Sequence, residues 1–207
     1  MPPSLIEEIS LIVPLVAELT GLPSNWNGTV TLVDGAPFRG QKRFDCGILL
    51  DSRLAGEPVR WRTLIHESLH AVSTGYNRAD YNRLNGWEEG VVEKMQRLLR
   101  PQVLERLAVA AAPESVFARA EREHLYNRYI TALETLREEL ALTEPVFYRN
   151  LLATPLAARP GYVYGLSSQF APQGRRTFLE ACSKANAVLR EERQWTLQSN
   201  RTSTESG

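Results

Sequence analysis

The pattern of hydrophobic and polar positions predicts two short strands near the start of the chain and helices through the rest. Runs of β-forming residues bounded by glycine and proline indicate the strands, and apolar residues at helical spacing indicate the helices. The predicted strands are 29–33 and 44–50, and the predicted helices are 4–20, 59–74, 87–99, 113–140, 144–153 and 175–195. This order predicts an α+β fold, in which a small N-terminal β-sheet is followed by a mostly helical C-terminal lobe.

The length and composition predict one domain. The chain has 207 residues, of which 43% are hydrophobic, enough to bury a full core. We expect a single domain over 1–195, with an N-terminal lobe at about 1–75 and a helical lobe at about 76–195. The polar residues 196–207 are expected to form a disordered tail.

Two of the three histidines lie four residues apart on the predicted helix 59–74, and a glutamate follows the first of them. Residues i and i+4 share a helix face, so His66 and His70 can bind one cation. Glu67 can then act on a water molecule at that cation. This H-E-x-x-H arrangement is typical of zinc peptidases. It predicts Zn²⁺ held by His66 and His70, with Glu67 as the general base, although a helix with metal-free histidines is the alternative.

A catalytic zinc ion usually has a third protein ligand, and the predicted helix 87–99 offers carboxylates for it. Neighbouring helical residues point about 100° apart, so only one of Glu88 and Glu89 can face the ion. Glu89 shares a face with Glu93, one turn further on. This favours Glu89 as the metal ligand and leaves Glu88 as the competing choice.

Eighteen residues separate His70 from Glu89, and Gly90 follows. Together with the first motif, this spacing resembles the gluzincin clan of zinc metallopeptidases, and in particular the HExxH-x18-E pattern of M1-type aminopeptidase catalytic domains. The resemblance covers about residues 44–100. It implies a zincin-like fold in which an active-site helix carries the histidines and a second helix carries the glutamate.

The resemblance also implies roles for the other acidic residues of the second helix. Glu89 is the third ligand, and Glu88 takes the place of an asparagine in the M1-type motif. Glu93 would accept a hydrogen bond from the free ring N–H of a ligating histidine.

The chain departs from the M1-type pattern before the zinc helix. It lacks the Gly-Ala-Met-Glu-Asn segment that anchors the amino end of a substrate and has FDCGILLDSR, residues 44–53, in its place. In this clan, the strand before the zinc helix commonly forms a sheet edge along which an extended substrate pairs. Without an amine anchor, we expect an endopeptidase rather than an aminopeptidase.

Gluzincins commonly use a tyrosine, histidine or arginine beyond the motif helices to stabilise the oxyanion. The segment 157–170 interrupts the helical pattern and is predicted to be a loop. The resemblance implies that Tyr164 in this loop is the oxyanion donor, with Tyr162 and His124 as alternatives.

Charge and cysteine content exclude some partners. The 24 basic and 24 acidic residues cancel, which argues against a nucleic-acid or membrane-surface partner and leaves a peptide or protein substrate. The apolar start of the chain lacks the organisation of a signal peptide. The two cysteines, Cys46 and Cys182, suit a reducing cytoplasm. Cys46 is expected to be a small structural residue, although its thiolate could close the metal site in a latent enzyme.

Two other functions fit the same motif. The ligands could form a closed structural zinc site in an inactive, zincin-like binding or regulatory domain. They could also support hydrolysis of a non-peptide amide. Coordination distinguishes the first from a peptidase, because a catalytic site keeps an exchangeable position.

Overall fold

The computed structural model describes residues 4–110 and 112–190, and within them most of the chain is helical. Three short strands form a mixed sheet near the N-terminus, so the fold belongs to the α+β class, as the sequence pattern predicts. The regular elements are α1 (Leu5–Thr20), β1 (Val30–Val33), β2 (Gly40–Lys42), β3 (Ile48–Asp51), α2 (Arg60–Val72), α3 (Arg78–Arg106), α4 (Glu114–Glu121), α5 (Asn127–Glu139), α6 (Glu144–Ala153), α7 (Arg159–Gly165) and α8 (Pro172–Leu189). The predicted tail, 196–207, lies outside the described residues.

Helix α1 has the start and stop signals that its sequence predicts. The Ser4 hydroxyl accepts a hydrogen bond from the Glu7 amide, and the Glu7 carboxylate accepts one from the Ser4 amide over 2.7 Å. This capping box satisfies two amides of the first turn. Gly21 ends the helix in the left-handed region, with φ of 68°. The buried face of α1 packs against α2 and includes Ile9, Ile12, Val13 and Val16.

The sheet has β3 at its centre, in the order β1-β3-β2. β1 runs parallel to β3 with Val30 opposite Ile48, and β2 runs antiparallel to it with Gly40 opposite Leu50. The strand directly before α2 is therefore a central strand. Our expectation that it forms the edge of the sheet is wrong, because β1 and β2 are the two edge strands.

A tight turn explains why β3 begins at Ile48 rather than at residue 44. The Arg43 amide donates to the Gly47 carbonyl over 2.8 Å, and the Cys46 amide donates to the Arg43 carbonyl over 3.1 Å. Cys46 adopts a φ of 72°, which belongs to turns and not to strands. The turn leads back to β2, whose sequence Gly-Gln-Lys has no branched or aromatic residue and was not predicted as a strand.

Helix α2 has nearly the predicted bounds, whereas α3 is far longer than 87–99. α3 begins after Asn77, whose side chain caps it by accepting from the Asp80 amide over 3.0 Å. At Leu84 the backbone is non-helical, with φ of −132° and ψ of 29°, so two helical segments meet at a kink. The Asn-Gly pair at 85–86 is a start signal in the sequence, but here it follows this kink.

Two glycines of α3 allow neighbouring helices to approach closely. A Cβ atom on Gly86 would lie 2.6 Å from the Leu189 carbonyl oxygen of α8. On Gly90 it would lie 2.9 Å from the Cβ of Tyr129 in α5. These glycines, at i and i+4 on one face of α3, therefore let α5 and α8 pack closely against the helix that carries Glu88, Glu89 and Glu93.

The stretch 113–140 is two helices, α4 and α5, and not the single helix predicted. Residues between them turn, and the Asn127 side chain donates to the carbonyls of Glu121 and Arg122 over 2.8 Å and 3.0 Å. In a continuing helix each of these carbonyls would accept from the amide four residues further on, whereas here the Glu121 carbonyl accepts from the His124 amide over 3.2 Å. An asparagine that bonds to the backbone in this way competes with helix continuation.

The segment 157–170 is helical, contrary to the predicted loop. It contains α7 between two 3₁₀ turns, Leu156–Ala158 and Leu166–Gln169. Pro160 lies in the first turn of α7, where a missing amide hydrogen costs nothing. α8 then runs to Leu189, and the part of its predicted extent after residue 190 lies outside the described residues.

Buried side chains from Leu5 in α1 to Leu189 in α8 form one hydrophobic cluster. Trp61 of α2 and Trp87 of α3 are among its largest fully buried members. They anchor the faces of α2 and α3 away from the polar motif residues. Across residues 4–110 and 112–190, no helix has both the length and the apolar character needed to span a membrane.

Candidate metal centre

The sequence-predicted ligands His66, His70 and Glu89 come together between α2 and α3. Their ligand atoms form a triangle. The two histidine Nε2 atoms are 3.2 Å apart, and the Glu89 Oε2 atom lies 3.2 Å from His66 Nε2 and 3.6 Å from His70 Nε2. The side chains of His70 and Glu89 are 4% exposed and that of His66 is 12% exposed. This is the group of the described residues that is close enough to hold a metal ion.

The triangle has the dimensions that a small tetrahedral cation requires. Zinc binds nitrogen and oxygen at about 2.0–2.2 Å, so neighbouring ligand atoms are about 3.3–3.5 Å apart. The observed separations of 3.2, 3.2 and 3.6 Å bracket that range. Two imidazoles and one carboxylate are also a donor set of catalytic zinc sites. The residues therefore fit zinc, and the same donors would accept cobalt or manganese.

Each histidine has a second carboxylate on its other ring nitrogen. His66 Nδ1 lies 3.2 Å from Glu93 Oε2, and His70 Nδ1 lies 2.8 Å from Glu88 Oε1. Such a partner fixes the tautomer and the ring orientation, so that Nε2 points at the metal position. Of the two candidate ligands on α3, Glu89 thus faces the cluster, and Glu88 lies behind His70.

A buried arginine holds Glu88 in this position. Arg159 of α7 donates to Glu88 Oε2 over 2.7 Å and to the Ser73 hydroxyl over 2.6 Å. The Ser73 hydroxyl in turn donates to Glu88 over 2.8 Å. The side chains of Arg159 and Glu88 are both 0% exposed. This network ties α7 and the end of α2 to the acidic motif.

We expect Arg159→Met to destabilise the protein by about 3–5 kcal/mol, because it leaves the Glu88 carboxylate buried without its cation. Methionine keeps much of the arginine volume, so the loss comes mainly from charge. The matched control is Arg176→Met, which breaks an exposed pair with Glu180 and is expected to cost less than about 1 kcal/mol. Urea denaturation measures both changes in the free energy of unfolding, and equal losses would contradict the assigned role of Arg159.

Glu93 is held by two arginines as well as by His66. Arg62 and Arg97 approach its Oε1 atom to 3.1 Å and 3.0 Å. Burial raises the pKa of Glu93, but the hydrogen bond to His66 and the charge of Arg62 outweigh it and hold the pKa well below its usual range. His124 Nδ1 lies 3.9 Å from Glu93 Oε1, whereas His66 approaches the other oxygen, Oε2. Burial and the Arg62 charge lower the pKa of His124 to about 4.

The carboxylates outnumber the histidines in this centre. Burial opposes protonation of His66, but hydrogen bonds to Glu89 and Glu93 outweigh it and raise its pKa to about 9. Burial also lowers the pKa of His70, but hydrogen bonds to Glu88 and Glu89 outweigh it and raise that pKa to about 10. Both shifts express the same excess of negative charge around the imidazoles. That excess favours any bound cation, and a divalent metal competes with protons for the site.

Glu67 borders the cluster and is 6% exposed. Its Oε2 atom accepts a hydrogen bond from the Lys42 amide over 2.5 Å. Its Oε1 atom accepts none from the described residues. Burial raises the pKa of Glu67, and the positive charges of His66 and His70 oppose that rise only in part. A carboxylate with a raised pKa is better suited to take a proton near neutral pH.

Two tyrosines near the junction of α2 and α3 line the cluster, Tyr76 between the two helices and Tyr81 in the first part of α3. The Tyr81 hydroxyl donates to Glu89 Oε1, the oxygen that does not face the histidines. The Tyr76 ring lies 5.0 Å from the His70 ring, and its hydroxyl donates to the Lys42 carbonyl over 3.1 Å. The sequence interpretation missed both tyrosines. Tyr81 precedes Glu89 by about two helical turns, a signal that the late predicted start of α3 concealed.

Two further aromatic residues bear on the cluster, one that contacts it and one that was expected to. Tyr126, just before α5, stacks on the His66 ring at 5.9 Å and was not singled out from the sequence. Tyr164 lies half-buried in α7 and packs against the core. No hydrogen bond or ring contact joins it to the cluster in the part of the chain that the structure describes. Its role as oxyanion donor stays a prediction.

Arg159 had no local signal in the sequence. It lies 71 residues after Glu88, so only the packing of α7 against α3 brings the two together. Cys46 lies in the turn between β2 and β3 and is not part of the metal-competent group found among the described residues.

Comparison of the chain with protein-family models, with curated proteins and with solved structures gives no match. The geometry of the centre therefore carries the functional argument.

Proposed function

We propose that this chain is a zinc-dependent metallopeptidase of the gluzincin type with a zincin-like catalytic domain, and an endopeptidase rather than an aminopeptidase. The observation that carries the proposal is the triangle of His66, His70 and Glu89, in which both histidines are oriented by carboxylates on their outer nitrogens. Glu67 beside that triangle supplies the further group that hydrolysis requires. The substrate would be a peptide or protein.

The residues divide the work of hydrolysis between them. Zinc bound to these ligands would act as a Lewis acid and make water nucleophilic near neutral pH. Glu67 would take the proton of the attacking water and pass it to the departing amine. The Lys42 amide holds one oxygen of Glu67 and leaves Oε1 for this transfer.

The composition of the cluster favours catalysis over a closed structural site. A structural zinc site is completed by a fourth protein ligand, whereas a catalytic site keeps that position for water or substrate. Among residues 4–110 and 112–190, the metal-competent group contains three members. A structural site would also have no need for the acid at position 67.

A tyrosine hydroxyl would stabilise the oxyanion that forms during the attack. Tyr164 remains the candidate implied by the resemblance. Tyr81 is a second candidate, because its hydroxyl donates a hydrogen bond to the carboxylate of Glu89, one of the proposed ligands. Loss of one such donor typically costs about 10²–10³-fold in rate, so Tyr81→Phe and Tyr164→Phe would separate the two.

The proposal is tested by metal analysis and a cleavage screen on the same preparation. Elemental analysis should find one zinc per chain after purification without chelator. A peptide library should then yield internal cleavages that stop on treatment with 1,10-phenanthroline and return with added zinc. Bound zinc without cleavage of peptides would instead favour a binding domain or a hydrolase of non-peptide amides.

A further inference from the structure

The edge strand β2 passes unusually close to the proposed general base. A Cβ atom built on Gly40 would lie 2.8 Å from Glu67 Cγ, 3.0 Å from Glu67 Oε1 and 2.8 Å from Thr63 Cγ2. Real Cβ atoms essentially never approach other heavy atoms below 3.0 Å. Gly40 does not have positive φ, so its backbone alone does not require glycine. The Glu67 side chain occupies the space that a side chain at position 40 would need, and this accounts for a glycine at that position.

The same strand also provides the hydrogen bond that Glu67 accepts. The Asp51 amide donates to the Arg39 carbonyl, and the Arg43 amide donates to the Gly47 carbonyl, so residues 39 and 43 face β3. Because successive residues of a strand alternate, the Lys42 amide faces away from β3. It donates instead to Glu67 Oε2 over 2.5 Å. β2 is an edge strand with no further strand beside it, so this outward amide is not used in strand pairing.

We propose that Gly40 and the Lys42 amide form a seat that fixes the orientation of the Glu67 carboxylate, and that Gly40 is a positioning residue for the general base. The amide holds Oε2, and the missing side chain at Gly40 leaves room for Cγ and Oε1. This inference rests on the proposed function for its catalytic consequence. The seat itself is a feature of the fold and can be measured without any activity.

A side chain at position 40 would act on Glu67 through contact. The Cγ atom would have to move by a few tenths of an ångström or more, and the carboxylate would turn away from the Lys42 amide. Displacement of a reacting group by about 1 Å can cost about 10²-fold in rate. The three heavy atoms nearest to the added Cβ atom belong to Glu67 and Thr63 and not to His66, His70 or Glu89, so we expect zinc binding to persist.

The first measurement is the ¹H–¹⁵N spectrum of the protein, in which the Lys42 amide reports on the seat. A hydrogen bond to a carboxylate moves an amide proton downfield, so Glu67→Ala should move the Lys42 proton upfield. Gly40→Ala should produce an upfield shift of the same sign. The matched control is Gly47→Ala, in the turn directly before β3, where the added Cβ atom would lie 3.4 Å from its nearest neighbour, Asp45 Oδ1.

The second measurement is steady-state kinetics beside zinc content. Gly40→Ala should lower kcat by about a hundredfold, with KM and one zinc per chain unchanged. Because the new methyl group would also press on Thr63, the double variant Gly40→Ala with Thr63→Ser removes that second contact. It should restore stability to a poorly folded Gly40→Ala protein and still lack activity.

The outcomes separate the seat from the proposed function. A Lys42 amide that does not respond to Glu67→Ala, or a Gly40→Ala protein with wild-type kcat, would overturn the seat. Recovery of activity in the double variant would also overturn it, since Thr63 and not Glu67 would then be the group displaced. If the wild type neither binds metal nor cleaves peptides, the proposed function fails, and the amide shifts still decide whether β2 positions Glu67.

Discussion

Glu67→Gln is expected to lower kcat/KM for peptide hydrolysis by about 10²–10⁴-fold while one zinc per chain stays bound, because general base catalysis contributes about that factor. Glutamine has the shape of glutamate, and its amide oxygen can still accept the Lys42 hydrogen bond. It cannot take a proton from water. Kinetics on a peptide identified by the library screen, with elemental analysis of the same preparation, measures both quantities.

The control for this variant is Glu105→Gln, an exposed carboxylate on α3, which should leave activity and zinc content unchanged. Full activity in Glu67→Gln would show that the proposed mechanism is wrong. Loss of zinc would show that Glu67 is itself a ligand, as expected of a closed structural site. Retained zinc with lost turnover is the result that the peptidase proposal requires.

The grouping of His66, His70 and Glu89 could be predicted from the sequence because it depends on local geometry. His66 and His70 share a face on any helix, and α2 is predicted within two residues at each end. Glu89 and Glu93 are one turn apart on α3, so they also share a face. The structure places both where this reasoning requires, with Glu89 in the triangle and Glu93 on the outer nitrogen of His66.

The partners that hold Glu88 and Glu67 could not be predicted, because each comes from a distant part of the chain. Arg159 reaches Glu88 from α7, in a segment that the sequence pattern marked as a loop. The Lys42 amide reaches Glu67 from β2, a strand whose side chains carry no strand signal. Backbone groups contribute nothing to a motif, so an amide that donates to a distant side chain, as the Lys42 amide does to Glu67, cannot be recognised in a sequence.

The errors in the fold follow from competing local signals. The Asn-Gly pair at 85–86 indicated a helix start, but the kink at Leu84 and the Asn77 cap place that start earlier. At the break between α4 and α5, the Asn127 side chain makes hydrogen bonds to the preceding carbonyls, and such bonds have no periodic signature. Apolar periodicity predicts which residues pack in the core, but it carries no information about hydrogen bonds from a side chain to the backbone.

Glu89→Ala is expected to abolish zinc binding, whereas Glu88→Gln should keep one zinc per chain. Glu89 supplies an atom of the triangle itself. Glu88 acts on the metal only through His70 Nδ1, and loss of such an outer partner typically weakens metal affinity by about 10–100-fold. Elemental analysis after gel filtration gives the stoichiometry, and titration against a chelator gives the affinity.

A second property separates the two glutamates. Glu88 neutralises buried Arg159, so Glu88→Ala should also lower the free energy of unfolding of the metal-free protein by about 3–5 kcal/mol. If Glu89→Ala retained zinc and Glu88→Gln lost it, Glu88 would be the metal ligand and Glu89 the supporting residue. Absence of stoichiometric metal from wild-type protein purified without chelator would remove the peptidase proposal. The charges around His66 and His70 would then have to be explained as a buried ion-pair network, whose one function is to join α2 to α3.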